Sequence, residues 1–180
     1  MLRKNADVSE VAIIFVEIQS IADYELIGDL EANVRDFHWT QPALDGAVSA
    51  IRQAVDAAGL LADDEVLIST HGTGTPLNDK NEADAIGVVF GERAQRHPII
   101  ATKSAHGHLI GASTALQAVL AIRALEEGLA PPILNYLGRD EEIALDLVLG
   151  AARPITARAA LVNAFAFGGL NVSLAFRLPE

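Results

Sequence analysis

The stretch STHGTGTPLNDKNEADAI (Ser69–Ile86) follows directly on EVLIS (Glu65–Ser69), and this junction decides the fold class. EVLIS reads as a short buried strand, so His71 leaves it at the strand's C-terminal edge. Two glycines and three threonines surround the histidine before the chain runs into a charged helix start. C-terminal strand edges are where open α/β sheets place their chemistry.

The flanking segments extend the same pattern. VAIIFVEI (Val11–Ile18) is β-branched and almost continuously apolar, as expected of a strand buried on both faces. Residues 19–41 have mixed polarity and read as an irregular connection. Pro42 opens a helix with Ala47, Ile51, Ala54, Val55 and Ala58 on one face, and Gly59 ends it. A second helix spans about Asp79 to Phe90, with Ala83, Ile86 and Phe90 inward. His97-Pro98 precedes a third strand, PIIAT. From Leu109 to Leu125 the chain is apolar nearly all round with Arg123 its only charge, which predicts a helix buried in the middle of the protein. Gly128 and Pro131-Pro132 stop it. LDLV is a minor strand, and RAALVNAF with NVSLAFR predict a hairpin turning at Gly168-Gly169. Strands alternating with helices, then a hairpin, predict an α/β layered domain with a mixed sheet.

The 180 residues suffice for one domain with a real core. A 51% hydrophobic composition and a mean hydropathy of +0.28 exclude disorder. Net charge −11 argues against nonspecific nucleic-acid binding. No cysteine is present, so disulfides, thiolate metal sites and a cysteine nucleophile within this chain are excluded. Met1 leads into LRKNADVSE without an early apolar core, so no signal peptide is expected and the cytoplasm is the default location. The uncharged run Ala159–Phe176 holds Asn163, Gly168, Gly169 and Asn171, and reads as two strands rather than a membrane span.

Three segments carry candidate chemistry, each with a plainer alternative. His71 could be a strand-end histidine satisfied by backbone. Asp79 and Glu82 are spaced like a helix capping box. In TKSAHGHLIGAS (Thr102–Ser113), Lys103 follows a buried strand while His106 and His108 precede the most apolar helix. A cation and histidines at a buried helix N-terminus suit a developing anion. The alternatives are a surface lysine and a His-x-His metal pair, which lacks further ligands nearby in sequence. In NAFAFGGLN (Asn163–Asn171), Phe165 and Phe167 could be core and the glycines a simple turn.

Together the three segments resemble the C-terminal half of the β-ketoacyl-acyl-carrier-protein synthases, condensing enzymes of the thiolase superfamily. His71 to Glu82 is similar to that family's His-Gly-Thr-x-Thr-x-x-x-Asp-x-x-Glu, and Lys103 to Ala112 to its Lys-x-x-x-Gly-His-x-x-Gly-Ala. Asn163 to Asn171 resembles its Asn-x-Phe-x-Phe-Gly-Gly-x-Asn turn. APPILNY, LDLVLGAAR and FHWTQP fit the family's connecting stretches. The resemblance covers roughly Val11 to Leu178 and implies a thiolase-like α/β fold over residues 1–180, its mixed sheet packed by helices on both faces. Residues 1–41 would be the last strand of the family's first half and a connecting segment.

Family chemistry is a decarboxylative Claisen condensation on acyl groups carried by the phosphopantetheine arm of acyl-carrier protein. The resemblance implies that His71 and His108 donate hydrogen bonds to the malonyl thioester oxygen as it becomes an enolate. It makes Lys103 the active-site lysine, Glu82 its ion partner and Asp79 a polar member of that network. Phe167 would be the gating phenylalanine whose N–H joins the oxyanion hole, and Thr73 and Thr75 would bond the pantetheine arm. The small residues of HGTGTP would let that arm pass close to backbone. No metal and no cofactor beyond the carrier arm is implied. Expected partners are acyl-carrier protein, a cysteine-bearing half or homologous subunit, and further copies in a homo-oligomer. The family's nucleophilic cysteine belongs to the first half, so this chain is expected to be inactive alone and to leave an apolar face open beside His71 and His108. The alternative function is a truncated, non-catalytic partner or carrier-protein-binding module. A thiolase using coenzyme A fits less well, since that branch places a second cysteine in its C-terminal half. His106 and Leu170 depart from the family pattern, and SAH beside Lys103 resembles the nodulation and polyketide branches.

Overall fold

β-Branched EVLIS forms a strand, Val66–Ser69 (β1), buried along its whole length. The computed structural model describes residues 44–61, 63–138, 140–166 and 170–178. The predicted strand Val11–Ile18, the connection to Gln41, and Phe167 with the Gly168-Gly169 turn lie outside the described residues.

Before β1 comes the helix Leu44–Ala57 (α1), whose buried face carries Ala47, Ile51 and Ala54 as expected, widened by Val48 and Ala50. After β1, the helix Pro76–Phe90 (α2) starts three residues before the predicted Asp79, because Pro76 occupies its first turn. Asp79 therefore lies inside that turn, its N–H bonded to Thr75 O at 3.0 Å, and caps nothing. A 3₁₀ turn (Gly91–Arg96) leads to Pro98–Ile100 (β2). The four-residue helix Lys103–His106 (α3) and a 3₁₀ turn at Ile110–Ala112 precede the helix Ser113–Glu127 (α4). Short strands Leu129–Ala130 (β3), Asp146–Leu147 (β4) and Arg153–Pro154 (β5) come before the hairpin Ala159–Ala166 (β6) and Leu170–Arg177 (β7). The antiparallel β3–β5 pair was not anticipated.

The main sheet has the order β4-β2-β1-β6-β7. Its first four strands run parallel and β7 is antiparallel to β6, a mixed sheet as predicted. Alternation along the strands divides the core in two. Val66, Ile68, Ile99, Leu161 and Phe165 pack on one face under α1 and α2, whereas Leu67, Ile100, Ala160 and Val162 pack under α4 on the other. β1 and β2 both end toward the same edge, which brings the residues after Ser69 and after Ile100 together.

The helix expected over Leu109–Leu125 is only partly enclosed. Ser113, Gln117, Ala121, Ala124 and Leu125 form its buried stripe. Val119 is 56% exposed and Ile110 79%, with Leu109 also open. Apolar composition alone thus overstated its burial. Among the described residues no helix is long and apolar enough to cross a membrane.

His97 joins the sheet to α2. Its Nδ1 accepts the Val66 N–H at 3.2 Å and its ring lies 4.4 Å from that of Phe90. Burial, aided by Arg93, holds its pKa below the usual histidine range. The folded state therefore favours the neutral ring, and that contribution is present above about pH 6.5 and lost as pH falls. Stability to urea should drop between pH 7 and pH 5, and His97→Gln should flatten this dependence. Equal slopes in the two proteins would show that His97 is not the group responsible.

Candidate active site

His71 and Lys103 emerge from adjacent parallel strands and meet. Lys103 Nζ donates to the His71 carbonyl at 2.6 Å and lies 3.4 Å from His71 Nδ1. An ammonium beside Nδ1 leaves that nitrogen as acceptor, so the neutral ring carries its proton on Nε2. Burial first, then the Lys103 charge, lowers the His71 pKa to about 4. The ring is neutral at pH 7.

His108 is set by the turn into α4. Ile110, a β-branched residue held at φ 51, directs its N–H onto His108 Nδ1 at 3.0 Å. The Ser113 hydroxyl reaches the same nitrogen at 3.1 Å. Nδ1 again accepts, which puts the His108 proton on Nε2. The two rings stand edge to face with centroids 5.6 Å apart, and the Phe165 ring lies 6.0 Å from His71. Two neutral imidazoles, each with an Nε2–H, thus sit side by side at the sheet edge.

Glu82 is buried from α2 but does not pair with Lys103. The expected contact ion pair is not formed. Its carboxylate instead accepts the His71 N–H at 2.9 Å, the Gly72 N–H at 3.1 Å and the Asn163 side-chain amide at 3.0 Å. Ser173, opposite Asn163 in the hairpin register, donates to the Asn163 side-chain Oδ1 at 2.9 Å. Glu82 therefore acts on the loop that carries His71; burial lowers the Lys103 pKa, and the Glu82 charge opposes this only from a distance. Burial pushes its carboxyl up to about 7, against three N–H donors that favour the ionised form. Glu82→Ala would leave all three donors unsatisfied, at about 1–3 kcal/mol each. Unfolding free energy should fall by about 3 kcal/mol or more. A loss below about 1 kcal/mol in denaturant titration would contradict this network.

A cavity of about 630 Å³ opens beside the pair. Thr73, Thr75, Asp79, Lys103 and His108 line its polar side, and Ile99, Ile133, Leu134 and Leu145 part of its apolar wall. His71 is not among the lining residues. The Thr73 and Thr75 hydroxyls bond each other at 2.9 Å, and Asp79 takes the Asn78 amide at 3.0 Å. Gly72, at φ 47, has a reason within the chain itself: a Cβ there would stand 2.7 Å from Thr70 Oγ1. This packing constraint holds whatever passes along the loop, and Gly72 also lines the cavity. His106 turns back on its own helix, with Nε2 at 3.2 Å from Thr102 Oγ1 and Nδ1 at 2.7 Å from Gly107 O. Both of its nitrogens thus have partners within its own turn.

Sequence reasoning missed Gln117 and the bonding roles of Asn163 and Ser113. Gln117 had a signal, as a polar residue in an apolar run, spaced four from Ser113 and four from Ala121.

This strand-edge arrangement coincides with a family assignment. The profile described as the C-terminal domain of β-ketoacyl synthase matches residues 25–137. The chain belongs to the β-ketoacyl synthase C-terminal domain family. The chain is 45% identical over 141 residues to Nodulation protein E of Rhizobium meliloti, covering 78% of this chain and 35% of that protein. It is 41% identical over 143 residues to 3-oxoacyl-[acyl-carrier-protein] synthase 2 of a Synechocystis strain, covering 78% and 34%. Its structure superposes, at a TM-score of 0.74 and 29% identity, on that of a type II polyketide acyl-carrier protein in complex with its ketosynthase bound to the hexaketide. That match covers 81% of this chain and 36% of the other. The chain thus spans about a third of the length of the relatives it matches, with the thiolase-like fold of a β-ketoacyl synthase C-terminal half.

Proposed function

We propose that this chain supplies the decarboxylating half of a β-ketoacyl synthase active site, acting on malonyl groups carried by acyl-carrier protein in fatty acid or polyketide synthesis. The observation that carries it is the pair of neutral imidazoles, both with Nδ1 engaged as acceptor. A malonyl thioester that loses carbon dioxide leaves its electron pair on the thioester as an enolate. Negative charge grows on the thioester oxygen, and two preorganised N–H donors meet it there. Neutral rings suit this step, because they donate without protonating the enolate that must attack carbon.

Thr73 and Thr75, on the polar side of the cavity, would bond the amide groups of the phosphopantetheine arm. Asp79 completes that polar wall, and Phe167 would add a backbone N–H for the acyl oxyanion. Lys103 acts through His71 rather than through a contact with Glu82. The acyl group itself needs a nucleophile, which comes from outside these 180 residues, on a cysteine-bearing half or homologous subunit. The open faces of Leu109, Ile110 and Val119, close to His108 in the chain, are suited to be covered by such a partner. Assembly as a homo-oligomer in the cytoplasm agrees with this reading.

The test pairs the chain with a cysteine-bearing ketosynthase half and follows release of labelled carbon dioxide from malonyl carrier protein. Release, with quenching of apolar-dye binding on pairing, is the expected result. A folded pair that buries the dye-binding face yet releases nothing would overturn the catalytic reading.

A further inference from the structure

Gln117 belongs to none of the motifs above, yet it is fully buried on the inner stripe of α4. Both ends of its amide are used. Oε1 accepts from Lys103 Nζ at 2.7 Å, while Nε2 donates to the Thr70 carbonyl at 2.6 Å and faces Ser69 Oγ at 3.4 Å. Lys103 Nζ has two other neighbours, the His71 carbonyl and His71 Nδ1. Its three N–H bonds thus face three acceptors, none of them charged. The other titratable groups around it are Glu82 from α2, engaged with the His71 loop, and His108 and Asp79 at the cavity.

We propose that Gln117 is a positioning residue for the donor pair, holding Lys103 Nζ on His71 and so fixing the His71 tautomer whose Nε2–H can donate. A lysine ammonium is a point charge on a flexible four-carbon stem, and its direction is set by its acceptors. Remove the Gln117 oxygen and one N–H of a buried ammonium loses its partner, so Nζ turns away in search of another. His71 Nδ1 would then no longer face a fixed donor, and either ring nitrogen could carry the proton. The same side chain tethers Thr70, the residue before His71, so one amide locates both the cation and the strand end bearing the imidazole. A neutral amide does this without adding a charge beside the site.

The inference rests on His71 serving as a donor, but its test needs no turnover. Long-range ¹H–¹⁵N spectra of the full 180-residue chain, labelled at histidine, report the tautomer of each ring directly, and the ¹³Cε shift of labelled lysine follows the Lys103 titration. At pH 7 His71 should show an unprotonated Nδ1 and a protonated Nε2. In Gln117→Leu the two His71 nitrogens should move toward averaged positions, whereas His108, held by Ile110 and Ser113, keeps its pattern. Gln117→Glu retains an oxygen for Nζ, and its added charge should move the Lys103 titration to higher pH while His71 Nδ1 stays unprotonated. If Gln117→Leu does not fold, the Gln117→Glu titration decides alone. An unchanged His71 pattern in folded Gln117→Leu, or an unmoved Lys103 titration in Gln117→Glu, would overturn the proposal. Failure of the carrier-protein chemistry would leave these spectra as they are, so the two readings fail separately.

Discussion

Incubated with acyl and malonyl carrier proteins, the 180-residue chain by itself should form no β-ketoacyl product above background. The enolate made at the histidine pair needs an acyl thioester to attack, and that thioester is held on a nucleophile in a two-stage mechanism. None of the 180 residues is a cysteine. The buried hydroxyls near the site do not substitute, because they are already committed as structural partners: Ser113 to His108 and the Leu109 N–H, Thr70 to the Ile100 carbonyl. A neutral serine or threonine becomes a useful nucleophile only beside a base. The Ser113 hydroxyl does face His108 Nδ1, but that nitrogen also takes the Ile110 N–H and is not free as a base, while His71 Nδ1 faces Lys103. Product should appear on adding a cysteine-bearing half and vanish when that cysteine is replaced. Turnover by the 180 residues alone, measured by mass spectrometry of the carrier protein, would remove the ground for a split site.

In the reconstituted pair, His71→Ala and His108→Ala should each lower kcat by about 10²–10³-fold, the usual effect of deleting one oxyanion donor. Both donors act on charge that is larger in the transition state than in bound substrate, so KM should move much less than kcat. The double variant should lose less than the product of the single losses, because one oxygen is shared by both. His106→Ala is the control. Its ring bonds Thr102 and Gly107 within its own turn, so its removal should leave kcat within a few-fold. Equal losses at all three positions would mean that folding, not donation, is being measured.

Much of this arrangement was legible before any coordinates. Short apolar runs bounded by Gly and Pro located β1, β2 and the β6–β7 hairpin, because a buried strand leaves a pattern within four to eight residues. The three spaced motifs pointed to His71, Lys103 and His108, and the structure brings all three together. Helix starts were less legible. α2 begins at Pro76 because proline's fixed φ suits a first turn, which outweighed the Asp-x-x-Glu spacing. The burial of α4 was overstated because apolar composition does not say which side of a helix meets the sheet.

By itself, the sequence determined the family, the α/β alternation, the strand edge on which the histidines stand and the absence of a cysteine nucleophile from these residues. Each of these is a local property: residue type, spacing and period. Only the tertiary structure decided how the buried polar groups pair. Glu82 lies 21 positions before Lys103, and the family resemblance implied an ion pair between them. Packing instead turned the carboxylate onto the His71 and Gly72 amides and gave the lysine to Gln117 and a carbonyl. Those partners come from separate elements whose juxtaposition depends on the sheet order, and a buried donor takes the acceptor that packing places within reach. Both histidine tautomers follow from such contacts, and the tautomers decide what the site can do.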